Sequence, residues 1–327
     1  MGGRAFLQKG IETRRVSKNE YEKIYSELFP KLSRLFGTVE LVKSYDTKET
    51  FGDMDILVKD YKYPNKDIGL VIYGEFETDI IKNGYVYSLV YKDVQIDIIK
   101  VKSSEWETTR TYYAYNDLGN LMGRIARHMG FRYGSQGLFY SYVSRYGFYA
   151  QDVIVSMDVR KIFNFLGFDY ELYSMGFETL EEVFNFVVSS KYFTPTIFQY
   201  ENLDHTNRLR NRKRDSYRKF LEYIKEMDGS SIVETPKDVY YSMAINFFGS
   251  EFTDKLSELS YRDDLLYEIR QKFNGDIVSQ ITHLEGKELG EFMSKFKQNY
   301  EDFDSFVLNT DLKDIKTAIK DFFKNNV

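Results

Sequence analysis

Apolar positions recur along this chain with two periods, and the change of period divides it. The stretch SKNEYEKIYSELFPKLSRLF opens on Ser17 and Glu20, the two ends of a capping box. Tyr21, Ile24, Leu28, Leu32 and Leu35 follow at helical spacing, which predicts a helix with a kink at Pro30. Strand-like runs come next, over 39–45, 53–60, 69–74, 85–91 and 94–101. Lys92-Asp93 separates the last two as a two-residue hairpin turn. The first third therefore reads as a helix against a mixed or antiparallel sheet. From Ser103 onward the pattern is mainly helical. DLGNLMGRIARHMG is the clearest helix, and DVRKIFNFLGF, TLEEVFNFVVSS and GKELGEFMSKFK follow it. DHTNRLRNRKRDSYRKFLEYIKEM reads as one long basic helix. Pro195 and the stretch DGSSIVETPKD around Pro236 are the expected boundaries.

Composition narrows the classes. The 327 residues suffice for two or three domains, and 43% are apolar, so a sizeable core can form. The 28 Tyr and 27 Phe argue against disorder. Cysteine is absent, which excludes disulfides, thiolate zinc sites and cysteine nucleophiles. His128, His205 and His283 are scattered without metal-ligand spacing. No leader-like or membrane-length apolar run occurs, so the expectation is a cytoplasmic chain without membrane contact. The abundance of Lys, Asn, Ile, Tyr and Phe suggests AT-rich coding and a bacterial or phage source. Net charge is -5, so nucleic-acid contact requires a local basic patch.

The chemistry concentrates in TFGDMDILV. Strand side chains alternate, so Asp53 and Asp55 point the same way, and like charges that close repel unless a cation lies between them. Asp97 interrupts a second apolar strand, VQIDIIKV. If the two strands are neighbours, three carboxylates converge. Hard oxygen ligands suit Mg²⁺ (or Mn²⁺), and two such ions can activate an attacking oxygen and steady a leaving pyrophosphate. An isolated pair of this kind is more often a solvated loop; the third strand-borne acid favours catalysis.

GDMDILV followed by QIDII resembles the nucleotidyltransferase superfamily, above all family X DNA polymerases of the polymerase beta type. The resemblance covers roughly residues 37–175. It implies an α+β fold, a nucleotidyltransferase palm of mixed sheet with helices followed by a largely helical C-terminal half. The corresponding division is palm over 1–102, nucleotide-binding and thumb-like region over 103–195, and helical C-terminal domain over 196–327. It implies two metal ions on Asp53, Asp55 and Asp97, with Asp97 taking the proton of a 3'-hydroxyl. YYAYNDLGNLMGRIARHMGF is similar to the family's nucleotide-binding helix. The contacts to the nascent pair fall on Asn120 and Arg124, and the aromatic pair against the incoming sugar on Tyr112 and Tyr113. SMDVRKIFNFLGFDY is similar to the end of the thumb.

The sequence departs from that pattern in places. The turn before the acids reads VKSYDTKETFGD: Ser44 stands for the family's serine, Lys43 replaces glycine, and Lys43 or Lys48 can supply charge to the triphosphate. Gln95 stands where a basic residue is usual, and AYN replaces a glycine-serine step. Only about 35 residues precede the palm, so counterparts of the lyase and helix-hairpin-helix modules are not expected within this sequence.

The basic run holds Arg208, Arg210, Arg212, Lys213, Arg214 and Arg218. It reads either as a solvated face or as a track for a phosphate backbone. LEGKELGEFMSKFK is faintly similar to a tail element of tRNA-nucleotidyltransferases, though an ordinary capped helix is the simpler reading. The expected activity is transfer of a nucleoside monophosphate from an NTP or dNTP to a 3'-hydroxyl of DNA or RNA. Two alternatives stay open. One keeps the core but modifies a small molecule, a protein or a tRNA end. The other is a non-catalytic nucleic-acid-binding protein, against which retention of all three acids argues. Oligomeric state is not legible.

Overall fold

The computed structural model describes residues 3, 5–59, 67–227 and 235–326. The fold is α+β. Its strands are β1 (Val16–Ser17), β2 (Val39–Leu41), β3 (Thr50–Phe51), β4 (Asp53–Lys59), β5 (Ile81–Asn83), β6 (Val86–Tyr91), β7 (Val94–Val101), β8 (Phe131–Gly134), β9 (Gly137–Val143) and β10 (Ala150–Ser156). β2, β4, β7, β6 and β5 form a mixed sheet in that order, with only the β4–β7 pair parallel. β1 and β3 pair by themselves, and β10, β9 and β8 form a third sheet.

Alternation gives the central sheet two unlike faces. Met54, Ile56, Val58, Ile96 and Ile98 point to one side, where helix Lys18–Phe36 covers them with Tyr21, Ile24, Leu28, Leu32 and Phe36. The cap is the expected one, with Ser17 Oγ accepting the Glu20 N–H. The opposite face carries Leu57, Ile99 and Val101 against Trp106 at one end, and the three aspartates at the other. Lys92 and Asp93 both have positive φ, 51° and 62°, which suits the tight hairpin between β6 and β7.

Two expectations are corrected. Residues 69–74 lie in a helix, Ile68–Phe76, because the Asp67 side chain caps it by accepting the Gly69 N–H at 2.8 Å. A short run apolar on every side has no period to distinguish strand from helix. The region after Ser103 is mainly helical, as expected, and β8, β9 and β10 also lie within it. The basic run is two helices, His205–Arg212 and Asp215–Tyr223, broken where Arg214 turns extended. The end of the 53–60 run, Asp60, and residues 228–234 of the boundary stretch lie outside the described residues.

The chain falls into two compact units, one of residues 1–141 and 152–252, the other of 142–151 and 253–327. This division differs from breaks at 102 and 195. Arg124 on helix Leu118–His128, for example, donates to Ile197 O across position 195 within one unit. The second unit is helical around Phe273, Phe292, Phe296, Val307, Ile315 and Ile319. Its segment 142–151 is held by Asp263, which accepts Tyr142 Oη at 2.6 Å and the Arg145 N–H at 2.9 Å. Among the described residues no helix is long and apolar enough to cross a membrane.

Candidate functional site

Parallel pairing of β4 with β7 sets Asp53 beside Gln95 and Asp55 beside Asp97. All four side chains share the sheet face away from helix Lys18–Phe36. Burial pushes the Asp55 carboxyl well above the usual carboxylate range, and the charges of Asp53 and Asp97 push the same way. Burial also raises Asp97, against the hydrogen bonds it accepts from Ser88 and Gln95. Gln95 Nε2 lies 3.0 Å from each Asp97 oxygen. Among the described residues, no donor of the protein is seated on the Asp55 carboxyl.

Asp53 and Asp55 line a cavity of about 1430 Å³ in the first unit. Lys43, Ser44 and Lys48 line it from the segment before β3. Lys48 lies 4.5 Å over the Phe51 ring and donates to Asn116 Oδ1 at 2.9 Å. Burial lowers its ammonium pKa, while Asp53 and Asp55 oppose that shift. Asn116 and the buried Tyr115 before it both take left-handed φ, 62° and 56°. For a bulky residue that conformation costs about 1–3 kcal/mol. Tyr115 is held in it by its N–H bond to Lys43 O at 2.8 Å and by the rings of Tyr173 and Phe177. The strained turn thus places Asn116 against Lys48.

The broken basic run supplies further wall. Arg210, Lys213, Arg214 and Arg218 line the same cavity, with Lys219 beside them. Arg214 is ion-paired with Asp117, which also accepts Ser216 Oγ. Arg208 and Arg212 line neither this cavity nor the next one. Arg208 donates to Leu203 O at 2.9 Å, and Arg212 sits 5.6 Å over the Tyr200 ring.

Helix Leu118–His128 buries Leu118, Leu121, Met122, Ile125 and Ala126 on one face. Asn120 and Arg124 line a second cavity together with Tyr112, and Tyr113 borders both cavities. Arg124 is buried and donates to Ile197 O, with Nη2 at 3.0 Å, while Asn120 donates to Asn211 Oδ1 at 3.2 Å. The residues that sequence reasoning passed over are Arg15, Asn116, Asp117 and Tyr21, whose ring stacks on Phe51 at 3.9 Å. None carries a motif; each reaches the cavity through tertiary packing.

The donor set suits a hard divalent cation. Among the described residues no three Asp, Glu or His side chains gather into one ligand cluster, and the Asp97 carboxyl accepts from Gln95. A pair of carboxylates with an unbonded, desolvated member fits an ion such as Mg²⁺, which takes one or two protein carboxylates and completes its shell with water and phosphate.

No family model matches this chain, and no curated protein matches it. Among solved structures, 38% of the chain is similar to Leishmania infantum polymerase beta in a ternary gap complex, at 17% identity and a TM-score of 0.32 over 51% of that chain. The same share is similar to that polymerase in a ternary P/T complex, at 17% identity and a TM-score of 0.31 over 58% of that chain. The matched region spans little more than half the length of those polymerase chains.

Proposed function

We propose that the protein is a metal-dependent nucleotidyltransferase that moves a nucleoside monophosphate from an NTP or dNTP to the 3'-hydroxyl of a DNA or RNA strand. The observation that carries this is the single cavity of about 1430 Å³ with Asp53 and Asp55 on one wall and Arg210, Lys213, Arg214 and Arg218 on another. Carboxylates gather a cation for the triphosphate, and the guanidinium and ammonium groups meet phosphate oxygens. The volume exceeds what a single small ligand fills, which is about 300–1,000 Å³, and leaves room for an acceptor.

In this reading the 3'-oxygen forms a bond to the α-phosphorus, the bond to the bridging oxygen breaks, and pyrophosphate leaves. Asp53 and Asp55 would hold Mg²⁺ or Mn²⁺, and the bound ions would supply positive charge to the attacking oxygen and the leaving group. Asp97, beside Asp55 on the neighbouring strand, receives the hydroxyl proton. Lys43 and Lys48 neutralise the triphosphate, and Ser44 donates to it. The test is incubation with labelled primers, single-stranded, recessed and gapped, in DNA and RNA, with each nucleotide separately. Primer lengthening with stoichiometric pyrophosphate supports the reading. Pyrophosphate release only with a small-molecule, protein or tRNA acceptor overturns the strand assignment, and no release with any acceptor overturns the transfer reading.

A further inference from the structure

We propose that the second unit carries a stacking surface for single-stranded nucleic acid, built from the rings of Tyr146, Phe148 and Tyr267 and the guanidinium of Arg270. All four residues belong to that unit, and none lines either cavity. Tyr267 and Arg270 lie three residues apart on helix Ser250–Lys272 and so share a face, with Asp264 one turn before them. A tight turn is fastened to that face. Gly147, at a φ of 72°, donates its N–H to Ser144 O at 2.9 Å and closes the turn. Arg145 Nη2 donates to Asp264 Oδ1 at 2.6 Å and to Ser260 O at 3.0 Å. So anchored, the turn lays Tyr146 on Tyr267, with centroids 4.3 Å apart and planes within 23°. Phe148 continues the row at 5.6 Å and 31° from Tyr146, and Arg270 lies 3.9 Å over the Phe148 ring.

The pair is stacked yet open: Tyr146 is 40% exposed and Tyr267 42%. Ring faces that are already ordered lose little freedom when a flat partner joins them. Charge narrows that partner. Asp264 is engaged by Arg145, and Glu268 by Lys272 at 2.9 Å. Arg270 is exposed and has no ion-pair partner among the described residues. The cation left over beside the rings thus suits an anion. The neighbours of Tyr267 on its helix are charged, whereas the centre of a protein interface is depleted of charge. Bases stacking on aromatic faces, with a phosphate at a guanidinium, meet both conditions and need no particular sequence. A duplex keeps its bases stacked on one another and offers none to these rings. The choice of a strand over a free nucleotide rests on the transfer reading.

The test is fluorescence anisotropy of the full chain without metal, over a salt series. The probes are a labelled single-stranded oligonucleotide, its duplex and labelled AMP. Tyr267 and Arg270 are exposed, so their variants should fold, as circular dichroism checks. Tyr267→Ala should weaken single-strand binding about fivefold to a hundredfold, the range for one stacked base. Tyr267→Phe keeps the ring and should bind as the parent does. Arg270→Gln should flatten the log-log salt slope by about 0.7. Duplex affinity should not change with Tyr267→Ala. Single-strand affinity unchanged in both Tyr267→Ala and Arg270→Gln would overturn the surface, even if the parent lengthens primers. Equal losses in Tyr267→Ala and Tyr267→Phe would overturn the stacking role. AMP bound as tightly as the strand would overturn the strand assignment. Self-association that Tyr267→Ala abolishes in sedimentation, with strand affinity unchanged, would give the face to a second copy of the chain. Ring-dependent strand binding by a chain that transfers nothing would leave this surface standing and remove the transfer reading.

Discussion

Gln95 donates its side-chain amide to both carboxylate oxygens of Asp97, at 3.0 Å each, and accepts the Ala5 backbone N–H on its own carbonyl oxygen at 2.9 Å. The two partners leave one orientation of the amide. A neutral residue thus joins the N-terminal segment to the third carboxylate, and it does so on the strand position beside Asp53. Gln95→Ala should lower stability by about 1.5–3 kcal/mol, the range for a hydrogen bond to a charged group. Gln95→Glu should cost more, because it places a fourth carboxylate among three. Urea denaturation of the metal-free protein reads both, and equal midpoints for parent and variants would contradict the arrangement.

Two arginines one turn apart should behave oppositely. Arg124 is buried on Ile197 O, so Arg124→Ala should destabilise by about 1.5–3 kcal/mol. Arg127 is exposed, and Arg127→Ala should stay within about 0.5 kcal/mol. Leu121 on the apolar side is 1% exposed, and its truncation to Ala should cost about 2–5 kcal/mol. Thermal unfolding distinguishes the three, and a silent Arg124→Ala would show that the carbonyl contact carries no stability.

Much of this was legible. The helical period marked DLGNLMGRIARHMG as a helix, which the structure has as Leu118–His128, and alternation put Asp53 and Asp55 on one face, where parallel pairing brings Asp97 beside Asp55. The run at 69–74 was not legible, because its apolar residues have no polar ones between them to set a period. β9, GLFYSYV, carried a signal in its aromatic residues and the Gly134–Gly137 turn before it. The break at Lys213–Arg214 has no glycine or proline to announce it; it follows from packing, with Asn211 fully buried and Arg214 paired to Asp117. The Gln95 link to Ala5 spans 90 residues and leaves no local pattern.

Asp204 caps the first of the two basic helices, accepting the Asn207 N–H at 2.9 Å. That bond, with one from the Asn207 side chain, holds its carboxyl below the usual carboxylate range. The sign follows from linkage: the contribution is fully present above the ordinary aspartate value and is lost as pH falls through the lowered folded value. Asp204→Ala should cost about 0.5–2 kcal/mol at neutral pH. The difference from the parent should shrink in acid. A difference that grows as pH falls would contradict the cap.

The central claim is that Asp53 and Asp55 drive nucleotide transfer. Its most direct test is single-turnover transfer with Mg²⁺ by Asp53→Asn and Asp55→Asn, alongside urea denaturation of the metal-free chains. Removing either charge relieves repulsion on the sheet face, so both variants should be at least as stable as the parent. Both should lose nearly all transfer. Turnover near the parent's in either folded variant would contradict the account.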